Sequence, residues 1–205
     1  MTFLSEDDRT RIEQAVAEAE KKTSAEFVTV IARAADDYLY IPTLVAACVV
    51  LILSGLALML PVDFGLVDYY AAQVVGFVGL ALLFRWTPLK MRIIPQSVKR
   101  RRARLLAHQA FLDLGLSSTK GRTGVMLFVA AAEHYVEILA DRGINENVGD
   151  DVWPDIVADF VNQVRSGCVA DGFIGAIGAC TDVMAKHHPW TADDTNELPN
   201  RLVEL

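Results

Sequence analysis

Two long apolar stretches dominate the pattern of hydrophobic and polar positions in the first half of the chain. Residues 42–60, PTLVAACVVLILSGLALML, and residues 69–84, YYAAQVVGFVGLALLF, contain no charged residue. A helix of about nineteen residues is about 28 Å long, close to the roughly 30 Å thickness of a bilayer core. The pattern predicts a transmembrane hairpin at residues 38–90, with spans at about 42–60 and 69–86. A helical hairpin buried in a soluble core is the alternative.

Shorter apolar patterns on both sides of the hairpin predict a soluble domain. Before it, apolar residues recur at helical spacing after a Ser5 cap and lead into a β-branched run at 25–33. After it come a helix, two strands and two further helices. These are the helix around 103–114, the strands 124–132 and 135–141, and the helices around 153–164 and 173–184.

The first soluble piece cannot fold alone, because one helix and one strand cannot bury a core, so its partners must lie beyond the hairpin. We therefore predict an α/β fold, a three-layer α/β/α domain with a small mixed sheet, interrupted by a two-helix transmembrane hairpin. Residues 1–37 form the first part of the domain and residues 91–188 the second part. Residues 189–205 are a polar, loosely packed C-terminal tail.

Charge gives the predicted hairpin a direction across the membrane. The connection 61–68 carries two acids and no base, whereas residues 85–104 hold eight Lys/Arg and no acid, in a chain of net charge −7. Basic residues next to a span stay on the cytosolic side. We therefore expect a two-span protein of the cytoplasmic (inner) membrane, with both termini and the α/β domain in the cytosol.

The basic segment 85–104, called the basic collar below, also indicates what the chain contacts. It has no reader motif for nucleic acid, so we expect no nucleic-acid partner. Next to a membrane span, Lys and Arg contact anionic lipid of the bilayer. The residues expected to do so are Lys90, Arg92, Lys99, Arg100, Arg101, Arg102 and Arg104.

Several segments in order resemble the TPM domain family, in particular a small bacterial branch with two inserted membrane spans. They are TSAEFVTVIA (23–32), AFLDLGLSSTKGRTGVMLFVAAAEHYVEILADRGI (110–144), VWPDIVADFVNQVRSG (152–167), DGFIGAIGAC (171–180) and NELP (196–199). The resemblance implies an α/β/α domain, usually associated with a membrane. It also implies a role in the assembly, repair or regulation of membrane complexes, and some members are described as acid phosphatases or calcium-binding proteins.

Four acids follow the predicted strand 135–141, at a place where α/β sheets often bind ligands. Asp141, Glu146, Asp150 and Asp151 are candidate ligands for Ca²⁺ or Mg²⁺, which prefer carboxylate oxygens. Alternatively, Asp150 and Asp151 stabilise the start of the next helix and Asp141 shapes a turn. Arg122, just before the buried strand, is a candidate for binding phosphate, or it pairs with one of the acids.

Other chemistry is hard to assemble from the sequence. The chain contains no phosphate-binding glycine loop, HExxH motif or EF-hand loop, and no Ser/His/Asp or Cys/His arrangement is visible. We therefore expect a membrane-tethered accessory, assembly or regulatory module for another membrane protein or complex, rather than an enzyme. The alternative is a membrane-anchored, divalent-metal-dependent (acid) phosphatase, for which Ca²⁺ or Mg²⁺ is the candidate cofactor.

Overall fold

The structure is a computed structural model, and it describes residues 4–59, 65–149, 152–191 and 196–205. The chain divides into two compact units. Residues 1–35 and 101–205 form one, called the sheet unit, and residues 36–100 form the other, called the hairpin unit. The inserted unit therefore interrupts the sheet unit once in the sequence.

Four strands form one sheet in the order β3-β2-β1-β4. They are β1 (Phe27–Ala32), β2 (Val125–Ala130), β3 (Tyr135–Ala140) and β4 (Val203–Glu204). Strand β1 pairs in parallel with β2 and β4, and β2 pairs with β3 in the antiparallel direction. The expected mixed sheet is thus confirmed, and β1 and β2 are direct neighbours although the hairpin unit separates them in the sequence.

Helices make up most of the rest of the described chain. In sequence order they are α1 (Glu6–Glu20), α2 (Tyr40–Ala57), α3 (Leu66–Leu83), α4 (Thr87–Ile93), α5 (Gln96–Asp113), α6 (Arg142–Asn145), α7 (Val152–Arg165) and α8 (Val169–His187). A short 3-10 helix spans Leu116–Ser118. The sequence pattern does not predict α4, α6 or β4, because each is too short to show a hydrophobic period.

The two faces of the sheet pack against different helices. Side chains alternate along a strand, so Phe27 and Ile31 of β1 point to the face covered by α1, α7 and α8. Val28 and Val30 point to the opposite face, which α5 covers with Ala103 and other small residues. Every residue of β1 and β2 is buried. The predicted α/β/α layering is therefore confirmed.

The expectation of a loosely packed C-terminal tail is wrong for residues 196–205. The backbone N–H of Leu205 donates to the Ile31 carbonyl, and Arg33 N–H donates to the Leu205 carbonyl, both at 3.0 Å. Nearer the start of the tail, the backbone N–H groups of Glu197 and Leu198 donate hydrogen bonds to the buried carboxylate of Glu26. Polar composition did not reveal these contacts because the tail binds mainly through its backbone.

The hairpin unit contains two helices that are long and apolar enough to cross a membrane, α2 and α3. Helix α2 begins ahead of Pro42 rather than at it, because proline is tolerated in the first turn, where N–H groups have no intrahelical partner. The Tyr69 hydroxyl donates to the Ser54 carbonyl at 2.9 Å and links the two helices. Both helices begin two or three residues earlier than the sequence pattern predicts.

Candidate functional site

Asp141 lies where β3 ends and α6 begins. Its side chain accepts a hydrogen bond from the backbone N–H of Arg142 at 2.7 Å, so it caps the short helix. Its own N–H donates to the Gly124 carbonyl at 2.8 Å, which fixes the helix start against the beginning of β2. One carboxylate oxygen of Asp141, Oδ2, is buried and has no hydrogen-bond partner among the residues that the structure describes. The turn-shaping role expected for Asp141 is therefore present, and one oxygen remains for a ligand.

Glu146, the second candidate metal ligand, is engaged in an ion pair. Its Oε1 lies 2.6 Å from Arg142 Nε, one helical turn away, and both side chains are largely exposed. An exposed pair of this kind contributes only a few tenths of a kcal/mol to stability. Glu146 can thus exchange its partner at little cost, but it is not preorganised for a metal.

The other two candidate ligands, Asp150 and Asp151, lie outside the described residues. Across the described ranges, no three or more His, Cys, Asp or Glu side chains form a group that could hold a metal ion. The four-carboxylate metal site stays a prediction.

The location of the acidic loop differs from the expectation that it occupies the ligand-binding edge of the sheet. Ala140, at the end of β3, pairs with Val125, at the start of β2. Because β3 runs antiparallel, Asp141 lies at the amino ends of the parallel strands β1 and β2. Open α/β sheets bind ligands at the carboxyl ends of their parallel strands. The expectation was wrong because it used the end of a strand without its direction.

Arg122 comes close to this loop through its backbone. Its carbonyl accepts a hydrogen bond from Gly143 N–H at 3.0 Å, and its φ of +54° is in the left-handed region. A Cβ at Gly143 would collide with the carbonyl oxygens of Gly121 and Arg122, so only glycine permits this approach. In addition, His188 Nε2 lies 3.2 Å from the Gly143 carbonyl oxygen.

The side chain of Arg122 is exposed, and its guanidinium makes no hydrogen bond or ion pair to any residue in the described part of the chain. The alternative in which Arg122 pairs with Asp141 or Glu146 is therefore not observed. A fork of N–H donors remains for an anion at the same edge as the Asp141 carboxylate.

Sequence reasoning missed a cavity of about 300 Å³ at the opposite edge of the sheet. It lies where β2 ends and β3 begins, against the last turns of α7 and the start of α8. The sequence pattern marks Phe160 and Val164 of α7 as core positions but gives no sign that space remains beside them. Its lining is Val129, Ala130, Ala131, His134, Tyr135, Val136, Phe160, Val161, Val164, Arg165 and Val169.

Cys180, the buried cysteine of the sheet unit, is not suited to act as a catalytic thiol. Burial raises the pKa of Cys180 to about 12, so the thiolate is scarce at neutral pH. The side chain instead packs in the core beneath α8.

The α/β/α sandwich defines the class of protein, and comparison with known proteins refines it. The NMR structure of BA42 protein from the psychrophilic bacterium Bizionia argentinensis is similar to this chain, with a TM-score of 0.60 and 22% identity. The match covers 99% of this chain and 96% of that chain, and at this identity it shows the fold. Residues 91–183 match the family model of the TPM domain. The resemblance to that family is thereby confirmed over this segment, while the search of curated proteins found no significant match.

Proposed function

We propose that this protein is a membrane-tethered TPM-like module that assists the assembly or regulation of another membrane protein or complex. The hairpin unit inserts into the cytoplasmic (inner) membrane. The sheet unit, both termini and the basic collar remain in the cytosol. The acidic exterior of the sheet unit contacts the partner.

The exposure of the two apolar helices carries this proposal. Only 17% of the apolar window of α2 is buried, and none of that of α3. A core helix of a soluble protein buries most of its apolar residues, and large exposed apolar surfaces mark contacts with membranes or other proteins. Lipid is the environment that stabilises such a surface on a helix that is apolar all round.

The basic collar supports the cytosolic orientation. Arg92, Arg100, Arg101 and Arg104 are exposed, and in this proposal they contact anionic headgroups. Arg104 Nε also lies 3.8 Å from Glu137 Oε1. Lys99 differs from these arginines, because it is 7% exposed and donates to the Met91 carbonyl at 3.2 Å. Of the collar residues, Lys99 therefore contributes least to lipid contact in this proposal.

Native cysteines provide a direct test of the orientation. Cys168 is exposed in the sheet unit, Cys180 is buried there, and Cys48 lies in α2. A membrane-impermeant maleimide should label Cys168 in inverted membrane vesicles but not in intact spheroplasts. A Cys168→Ser variant is the control for labelling at the other two cysteines. Labelling of Cys168 from outside intact spheroplasts would overturn the proposed topology.

Partner capture tests the module itself. Exposed Asp155 and Asp159 on α7 form an acidic stripe one helical turn apart. Cross-linking in cells followed by affinity purification should recover one stoichiometric integral-membrane partner. Changing both aspartates to lysine should reduce that recovery, whereas Asp113→Lys with Asp182→Lys, an equal change of charge on other helices, should not. Equal loss from both double variants, or recovery of this chain alone, contradicts a specific module.

A divalent-metal-dependent phosphatase is the second candidate. The observation that favours it is the juxtaposition of the unpartnered Asp141 Oδ2 and the loop bearing the exposed Arg122 guanidinium. In this function Asp141, Glu146, Asp150 and Asp151 would hold Ca²⁺ or Mg²⁺, and Arg122 would bind the phosphate. The TPM domain family, whose model matches residues 91–183, is one of proposed phosphatase-like or unknown function.

Phosphate release from a generic phosphomonoester separates the two candidates. If the protein is a phosphatase, phosphate release should stop when the metal is chelated. The rate of release should also fall at least tenfold in Asp141→Asn and in Asp150→Ala, while the exposed Asp155→Asn control stays active. Calorimetry with Ca²⁺ and Mg²⁺ provides a second readout. Absence of both metal binding and turnover in the full-length protein would leave the accessory module as the function.

A further inference from the structure

We propose that the cavity at the carboxyl end of β2 binds a small amphiphilic carboxylate, with its apolar chain inside the cavity and its anionic head at Arg165. This inference concerns the side of the sheet opposite to the acidic loop. It does not depend on the membrane partner or on phosphatase activity.

The size and lining of the cavity indicate the apolar part of the ligand. A volume of about 300 Å³ corresponds to about ten water-sized groups, which matches the non-hydrogen atoms of octanoate. Val129, Val136, Phe160, Val161 and Val164 supply apolar walls from both strands and from α7. An apolar chain gains by leaving water for such a site, whereas a sugar or nucleotide would lose hydrogen bonds there.

The charge at the rim indicates the anionic head. Arg165 is exposed in the last turn of α7, and its guanidinium pairs with no other residue of the described ranges. Arginine stays charged at any physiological pH and can bind a carboxylate through two parallel hydrogen bonds. The exposed His134 adds a second nitrogen-bearing side chain to the rim. Among the residues that the structure describes, the lining contains no Asp or Glu that would oppose an anion.

Helix dipoles act in both directions at this rim. The carboxyl end of α7 disfavours an anion, but the cavity also borders Val169, the first residue of α8, whose amino end favours one. The two contributions are opposite in sign. The positive charge of Arg165 therefore decides the preference.

The position of the cavity agrees with the general behaviour of open α/β sheets. β1 and β2 run parallel and end at Ala32 and Ala130, and the cavity adjoins the end of β2. Ligands in such sheets bind beyond the carboxyl ends of the strands. The turn there is held by a hydrogen bond from His134 N–H to the Ala131 carbonyl, at 3.3 Å, with His134 at φ of +53°.

Octanoate titration of the full-length protein in lipid nanodiscs tests this inference, with empty nanodiscs as the blank. Methyl NMR of labelled valines should show saturable shifts at Val161 and Val164, with a Kd below about 1 mM. Octanol, which has the same chain but no carboxylate, should bind several-fold more weakly. Arg165→Gln should weaken octanoate about fivefold to tenfold and leave octanol unchanged, because it removes only the charged contact.

Two further variants complete the test. Arg201→Gln, the same change at an exposed arginine outside the cavity, should leave octanoate binding unchanged. Val161→Phe should abolish binding by filling the cavity, and if that variant does not fold, Arg165→Gln still decides. Unsaturable shifts, equal affinity for octanoate and octanol, or unchanged binding in Arg165→Gln would overturn the proposal. Contacts of these methyls with bilayer acyl chains in place of octanoate would also overturn it.

Discussion

Helices α2 and α8 have nearly the same length, 18 and 19 residues, yet their apolar residues lie in different surroundings. In α8, eight residues are buried, from Ala170 to Met184, and they face the sheet and its neighbouring helices. In α2 only Pro42, Ala46 and Val50 are buried, and α3 has no buried residue. Both helices are apolar in sequence, but burial in the folded chain distinguishes a core helix from one whose apolar surface stays exposed.

Polar residues explain the difference between these helices. Helix α8 carries Asp171, Asp182 and Lys186, so it has a face suited to water. Helix α2 carries no charged residue on any face. A helix of the first kind packs on a soluble core, whereas one of the second kind is stable only where no face meets water.

Loss of core packing should produce the largest effect. Phe173 of α8 is fully buried and packs edge-to-face against Phe160, with ring centroids 5.1 Å apart. Phe173→Ala should lower the free energy of unfolding of the sheet unit by about 3–5 kcal/mol, because it leaves a cavity. Urea denaturation, followed through tryptophan fluorescence to which the buried Trp153 contributes, measures the change.

The matched change in the hairpin unit is Leu82→Ala on α3, where the side chain is 63% exposed. It should change the unfolding free energy of the sheet unit by less than about 0.5 kcal/mol. A loss as large as that in Phe173→Ala would mean that α3 packs as a core helix.

A charge in the middle of α3 tests the lipid environment. Val75 is 70% exposed near the centre of the helix. Val75→Arg should disfavour insertion by about 2.5–3.5 kcal/mol, because arginine is costly at the centre of a span. Alkaline carbonate should then extract the variant from the membrane fraction, or the variant should be degraded in the cell.

Ala158→Arg supplies the comparison on α7, where the residue is exposed to water. That variant should remain in the membrane fraction with an unchanged unfolding midpoint. Release of both variants, or retention of both, would remove the distinction between the two kinds of apolar helix.

A buried polar contact in the sheet unit should have a smaller effect. Glu26 is 6% exposed and accepts hydrogen bonds from Glu197 N–H at 2.9 Å and Leu198 N–H at 3.3 Å. Glu26→Gln should cost about 1–3 kcal/mol, because the amide group has only one acceptor oxygen. Hydrogen exchange of the Leu198 and Leu205 amides should accelerate. Glu18→Gln on the exposed face of α1 is the control, and equal exchange in both variants would show that Glu26 does not hold the tail.

Helix capping should have the smallest effect, and it also distinguishes the two units. Helix α1 has a capping box in which the Ser5 hydroxyl and Asp8 N–H lie 3.1 Å apart, whereas neither α2 nor α3 has a side-chain cap. Ser5→Ala should cost about 1 kcal/mol in urea denaturation at pH 7. The exposed Ser166→Ala substitution at the end of α7 should cost less.

The same cap predicts a dependence on pH. Hydrogen bonds from the Ser5 hydroxyl and backbone N–H lower the pKa of Asp8 below 3.8. A lowered carboxyl pKa stabilises the folded state above pH 3.8, and this contribution disappears as the pH falls through the lower folded value. The difference between Ser5→Ala and the parent chain should therefore shrink in acid. A difference that is constant from pH 7 down to acid would contradict the cap.

The amino-acid sequence alone predicts the two apolar helices and the strands β1, β2 and β3, because a hydrophobic period is read locally. The order of these elements along the chain then indicates the α/β/α class. Glu146 and Arg142 form a pair one helical turn apart, which is also a local matter. The order of the strands and the attachment of residues 203–204 to β1 are not local, since they depend on backbone hydrogen bonds between distant segments.

The location of the candidate chemistry depends on the tertiary structure. The direction of β3 places Asp141 at the amino ends of the parallel strands, and the packing of α7 against the β2–β3 turn leaves the cavity beside Arg165. A local sequence pattern specifies which face of an element is apolar, but not what that face meets. Cavities and converging side chains arise from how several elements pack together, and their geometry exists only in the folded chain.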